Sequence, residues 1–157
     1  MTARTQLPTL ILLASTLLTP TLGSAQTGPT DLDKSIDLSV GNHVKVQTLL
    51  TDLQRSVSQH NAAAVAALVH YPIKVNPGKH PITIKNPKAF IKDYDGIITP
   101  DIAAAIYKQK YDALFVNSQG VMIGDGEVWI TGFCLDKNCK NSDIKIGTIQ
   151  DTKNLKP

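Results

Sequence analysis

The strongest candidates for chemistry are two acids beside the single tryptophan, in the stretch GVMIGDGEVWITGFCLDKNC. Asp125 and Glu127 alternate with glycines, and Trp129 follows two residues after Glu127. A carboxyl group held beside an indole in an apolar pocket has a raised pKa and can act as a general base. The alternative, which we prefer, is that Glu127 is exposed on the outer face of a sheet and Asp125 belongs to a turn or bulge. Trp129 then packs alone.

Two tyrosines could supply the hydrogen-bond donor that such a site needs. Tyr71 directly precedes Pro72, where predicted helices meet the sheet, and Tyr94 lies on a predicted amphipathic helix. We expect a ligand pocket to be lined by Tyr71, Tyr94, Glu127 and Trp129, with Tyr71 as the donor if the site is catalytic. The alternative is that both tyrosine rings belong to the core.

Other kinds of site lack their motifs. The four histidines form no H-x-x-x-H pair, there is no G-x-S-x-G, and no glycine-rich phosphate loop precedes a helix. We therefore predict no metal and no cofactor. The net charge of +3 is too small, and too evenly spread, for a nucleic-acid-binding protein.

The N-terminal segment is typical of a secretory signal peptide. Arg4 precedes an apolar run from Leu10 to Leu18, and small residues before Ala25 suit cleavage there. The run is shorter than the roughly 20 residues of a membrane span. We predict a periplasmic or secreted protein that has no membrane attachment after cleavage of residues 1–25.

Export predicts the state of the two cysteines. Cys134 and Cys139 have four residues between them, and in an oxidising compartment such a pair usually forms a disulfide. We expect the bond to staple a hairpin. A redox or metal role is the alternative.

The rest of the chain divides into a flexible leader at 26–41, one domain at 42–150 and a polar tail at 151–157. The domain begins with a helix whose apolar stripe runs from Val46 to Val57, followed by a short helix capped by Asn61. A hairpin, two helices that open at Pro87 and Pro100, and a series of strands complete it. This order favours an α+β fold with an antiparallel sheet and helices on one face.

The strand through residues 121–133 has two interpretations. We prefer one long bent strand, because glycine inside a strand commonly marks a bulge and the turn at 117–120 already reverses the chain. The rival is a hairpin that turns at Gly124-Asp125-Gly126.

Three stretches resemble the NTF2-like superfamily, and more narrowly its small exported bacterial members without an assigned activity. They are Tyr71-Pro72-Ile73, the F-I-x-x-Y-D-x-I segment at 90–97 and GVMIGDGEVWI at 120–130. The resemblance covers roughly residues 42–149. It implies a cone-shaped (SnoaL-like, cystatin-like) fold in which a curved antiparallel sheet packs against N-terminal helices around a pocket, and a sheet that often pairs as a homodimer. It does not choose a function, because the superfamily includes both enzymes and binding modules.

Three functions are consistent with these features. The first is a non-catalytic module of the bacterial cell envelope that binds a small molecule or a partner protein. The second is a small isomerase-like or hydrolase-like enzyme that uses Glu127 or Asp125 as its base. The third is an immunity or inhibitor protein directed against an envelope hydrolase.

Overall fold

A computed structural model describes residues 30–76, 80–139 and 141–154. The predicted signal peptide and parts of the predicted hairpin turn and polar tail lie outside these residues. The helices are α1 Asp31–Val40, α2 His43–Ser58, α3 Ala62–Ala67, α4 Pro87–Lys92, α5 Tyr94–Ile97 and α6 Pro100–Lys108. The strands are β1 Val69–Asn76, β2 Ile82–Ile84, β3 Phe115–Asn117, β4 Gly120–Ile123, β5 Val128–Cys134 and β6 Ser142–Gln150. Two 3₁₀ turns, Tyr111–Ala113 and Thr152–Asn154, accompany them.

The predicted helix starts are confirmed by their caps. The side chains of Asn42, Asn61, Asn86 and Thr99 each accept a hydrogen bond from the backbone of the first turn that follows. These oxygens satisfy amide groups that have no partner inside the helix. The apolar stripe of α2 is buried from Val46 onward, as its spacing predicts.

Helix α1 corrects the prediction of a flexible leader at 26–41. Thr30 and Asp33 form a capping box at its start, and Gly41 ends it with a φ of 103°. Ile36 and Val40 are fully or almost fully buried, at 0% and 4% exposure. Polar residues dominate the composition of this segment, but its few apolar side chains fall on one stripe, so that the helix can bury them.

The sheet has the strand order β2-β1-β6-β5-β4-β3. Neighbouring strands are antiparallel except for β1 and β6, which run parallel. The α+β class is therefore confirmed, whereas the wholly antiparallel sheet is corrected to a curved mixed one. β6 can run parallel to β1 because it pairs with it only after a long connection, in which the chain passes through four helical segments and four strands.

The preferred long strand through residues 121–133 is wrong, and the hairpin is right. Met122 faces Trp129 and Ile123 faces Val128 across an antiparallel pair, so the chain reverses at 124–127. Gly124 and Gly126 have φ values of 67° and 111°. This left-handed region suits glycine, and it makes a tight turn rather than a bulge.

One face of the sheet and the helices together form the core. The inward side chains of β5 and β6, such as Val128, Ile130 and Ile146, have no exposed surface, and neither do Leu53 and Phe90 on the helices. All belong to one continuous hydrophobic cluster. The face that a cone-shaped fold would leave open to a ligand is thus filled with aliphatic and aromatic side chains.

Candidate functional site

The predicted acids lie in the β4–β5 turn, where Glu127 has a structural task. Its carboxylate accepts a hydrogen bond of 2.6 Å from the backbone N–H of Asp125, and another from the hydroxyl of Thr152. The first bond closes the turn and the second holds the C-terminal segment against it. Asp125 is exposed at the tip.

An open cleft of about 410 Å³ separates this turn from the end of α6. Its charged side chains are Lys108, Lys110, Asp125 and Glu127. No histidine or tyrosine is among the described residues that line it. The Gln109 side-chain oxygen accepts a hydrogen bond from the Gly124 N–H at 2.8 Å, which fixes the turn to the helix. The cleft thus holds an anchored turn, without the proton donor predicted beside its acid.

The two tyrosines lie elsewhere. The Tyr71 hydroxyl donates a hydrogen bond of 3.0 Å to the backbone oxygen of Ala66, and burial raises the pKa of Tyr71 to about 12. Tyr94 is 4% exposed, and burial, with a smaller contribution from Asp95, raises its pKa. Both rings pack edge-on against Phe90. Their place in or against the core matches the alternative interpretation of the sequence.

Trp129 lies on the opposite, outer face of the sheet. A row of cross-strand neighbours crosses the whole sheet there, and we call it the outer row: Phe115, Met122, Trp129, Thr148, Lys74 and Thr83. Phe115 is 52% exposed, Lys74 and Thr83 are exposed, and Trp129 and Met122 are partly buried. On β1, β4, β5 and β6, the apolar side chains before and after these residues are buried in the core, so the two faces differ as the pleat requires.

An open depression of about 330 Å³ surrounds the indole. We call it the Trp129 depression, and its lining is Gln119, Trp129, Thr131, Thr148 and Gln150. It lies apart from the Glu127 cleft, and the two have no lining residue in common. The predicted pocket of Tyr71, Tyr94, Glu127 and Trp129 is therefore distributed over the core, a turn and the outer face.

No protein-family model, curated protein or solved structure matches this chain. Among the described residues there is no group of three or more histidine, cysteine, aspartate or glutamate side chains that could hold a metal ion. No described helix has both the length and the apolar character needed to cross a membrane.

The predicted disulfide is present. Cys134 and Cys139 are bonded, with their Cα atoms 4.7 Å apart. The bond closes the loop between β5 and β6, as expected for a stapled hairpin. Inside the loop, the Asp136 carboxylate accepts hydrogen bonds from the backbone N–H groups of Asn138 and Asn141.

Sequence reasoning missed most of the Trp129 depression. Thr131, Thr148 and Gln150 alternate with apolar residues, which predicts that they face away from the core. Which of them are neighbours depends on the pairing of β5 with β6, and this pairing contains a bulge after Trp129. No local pattern gives that register.

Proposed function

We propose that this chain is an exported, non-catalytic binding module of NTF2-like architecture that binds its ligand or partner on the outer face of its sheet. The observation that carries the proposal is the contrast between the two faces. Aliphatic side chains fill the inner face, whereas the outer face presents Trp129, Met122 and Phe115 beside neutral polar groups. Tryptophan is strongly enriched among residues that dominate binding energy.

The arrangement of the acids supports a binding role over a catalytic one. Both oxygens of the Glu127 carboxylate accept hydrogen bonds that hold the turn together. Each oxygen keeps a further lone pair, but the catalytic hypothesis also needs a hydrogen-bond donor beside the base, and no histidine or tyrosine is among the described residues that line the Glu127 cleft. Tyr71, the donor expected beside it, instead donates its hydrogen bond to Ala66.

Two features support the proposal that the protein is exported. The N-terminal residues have the pattern of a cleavable signal peptide. The Cys134–Cys139 disulfide is the form that cysteines take in oxidising compartments. Determining the N-terminal sequence of the protein purified from its host tests this part, and a chain that begins near Gln26 is the expected result.

The single tryptophan offers a direct test of the outer face. Protein labelled with 5-fluorotryptophan gives one ¹⁹F resonance, from Trp129, and unlabelled extract adds none. We expect the envelope or extracellular fraction of the host to shift or broaden this resonance. Thr148→Arg should abolish the change, because it puts a long charged side chain beside Trp129.

A matched control is Val44→Arg, which adds the same side chain on the 56% exposed Val44 of α2. It should leave the response intact. A resonance that no fraction changes, or that changes equally in both variants, would refute binding on the outer face. Sedimentation of the pure protein over a concentration series identifies the case in which the partner is a second copy of the chain.

A further inference from the structure

The Trp129 depression is lined by one indole, two hydroxyl groups and two carboxamides. None of these side chains is charged, although the chain has 16 basic and 13 acidic residues. We propose that this depression binds an uncharged saccharide unit of a glycan. The inference rests on the proposed function, and it names the class of ligand.

The indole matches one side of a sugar ring. A pyranose has an apolar face of C–H groups and a rim of hydroxyl groups. The face of an indole carries negative charge density, which attracts the positive edges of C–H groups. Because Trp129 lies in the interior of the outer row, between Met122 and Thr148, a ring that stacks on it also reaches polar side chains.

The rim of the depression matches the hydroxyl groups. Carboxamides and hydroxyls both donate and accept hydrogen bonds, as sugar hydroxyls do. Within the described part of the chain, the Thr148 hydroxyl, the Gln119 carboxamide and the Trp129 Nε1 make no hydrogen bond with another residue. Gln150 is held in place, since its Nε2 donates to the Gly126 oxygen at 2.9 Å, which leaves its side-chain oxygen as an acceptor.

Charge argues against an anionic ligand. Lys145 lies opposite Thr131 on the neighbouring strand, but its Nζ donates to the backbone oxygen of Ala67 at 2.9 Å, away from the depression. The cation of the outer row, Lys74, lies beyond Thr148 on the next strand. Binding of a carboxylated or phosphorylated polymer calls for cations in the lining itself.

Size and rigidity fit a short glycan segment. A volume of about 330 Å³ is at the lower end of the roughly 300–1,000 Å³ of small-molecule sites. The lining side chains of β5 and β6 lie on the central strands of a six-stranded sheet. The backbone of the site is therefore already ordered, and little conformational entropy is lost when a ligand binds.

The experiment uses the same ¹⁹F resonance with defined uncharged probes, maltotetraose, cellotetraose and tetra-N-acetylchitotetraose, and with the protein-free polysaccharide of the host fraction. We expect a saturable shift with the polysaccharide and with at least one tetrasaccharide, unchanged in 0.5 M NaCl. A shift that only the protein part of the fraction produces would overturn the saccharide inference and leave the proposed function standing. A shift that salt removes would also overturn it. If nothing shifts the resonance, both fail.

Paired variants locate the site. Thr148→Val keeps the shape of the side chain and removes one hydrogen-bonding group, so affinity should fall about fivefold. Thr83→Val makes the same change at the edge of the outer row and should leave affinity unchanged. In calorimetry, Trp129→Ala should abolish binding, and Trp129→Phe should retain a weaker form of it. Equal affinity in the Thr148 and Thr83 variants would place the saccharide elsewhere and refute the inference.

Discussion

Tyr71 and Tyr94 both pack against Phe90, and loss of the hydroxyl group should change the stability of the fold in opposite directions for the two. Among the described residues, the buried hydroxyl of Tyr94 has no hydrogen-bond partner, whereas that of Tyr71 donates to Ala66. Both rings contact Phe90 edge-on, at centroid distances of 6.3 Å and 6.4 Å. Replacing either tyrosine by phenylalanine removes the hydroxyl and leaves the ring in place.

The magnitudes follow from what each hydroxyl does. An unpaired buried hydroxyl costs about 1–3 kcal/mol of desolvation, so Tyr94→Phe should stabilise the fold by up to about 2 kcal/mol. A paired hydroxyl contributes about 1 kcal/mol, so Tyr71→Phe should destabilise by about that amount.

Urea unfolding of the two variants and the wild type measures both effects. The expected outcome is a higher midpoint for Tyr94→Phe and a lower one for Tyr71→Phe, with equal slopes. A Tyr94→Phe variant that loses 1 kcal/mol or more would refute the reasoning, because its hydroxyl would then have a partner in solution. If that partner were a bound small molecule, Tyr94 would line a ligand site, as the sequence analysis predicts.

Four further results are expected. Ile36→Ala should cost about 2–5 kcal/mol in urea unfolding, while Leu38→Ala, at a position 90% exposed on the same helix, should change stability by less than about 0.5 kcal/mol; equal effects would mean that α1 is not docked. Glu127→Gln should lower stability by about 1–3 kcal/mol, whereas a catalytic base predicts no loss or a gain. Reduction of the disulfide should cost about 2 kcal/mol, since its loop is short, and a double serine variant should match the reduced protein. Hydrogen bonds, chiefly from Tyr111 and then from Thr30, lower the pKa of Asp33 from 3.8 to about 2. The stability advantage of wild type over Asp33→Asn should therefore be complete above pH 3.8 and disappear as the pH falls toward 2. Acid-unfolding curves measure this, and a difference in stability that stays constant with pH would contradict it.

Much of the fold could be predicted because its signals are local. The caps at Asn61 and Thr99 and the stripe of α2 each depend on a few consecutive residues. Helix α1 had such signals too, in the capping box of Thr30 and Asp33 and in the spacing of its apolar residues. The polar composition of the segment led instead to the prediction of a flexible leader. Such a composition is typical both of the exposed side of a helix and of a leader.

The turn at Gly124 and Gly126 shows where local signals become ambiguous. Glycine inside an alternating pattern is typical both of a bulge and of a hairpin turn, and the two differ only in whether the strands on either side pair with each other. Pairing depends on distant side chains. Across the hairpin, Val121 pairs with Ile130 and Ile123 pairs with Val128. All four side chains point inward and are buried in the core.

The same argument explains why the candidate site could be predicted only as single residues. Trp129 stood out by its type, but its function depends on the neighbours that β4 and β6 bring to it. Two of these, Thr148 and Gln150, lie about 20 residues later in the chain. The bulge at Gly147 shifts β6 by one position, so that Thr148 rather than Gly147 faces Trp129. Without that shift, a residue with no side chain would lie beside the indole, and the depression would lose the hydroxyl group on which the proposed saccharide site depends.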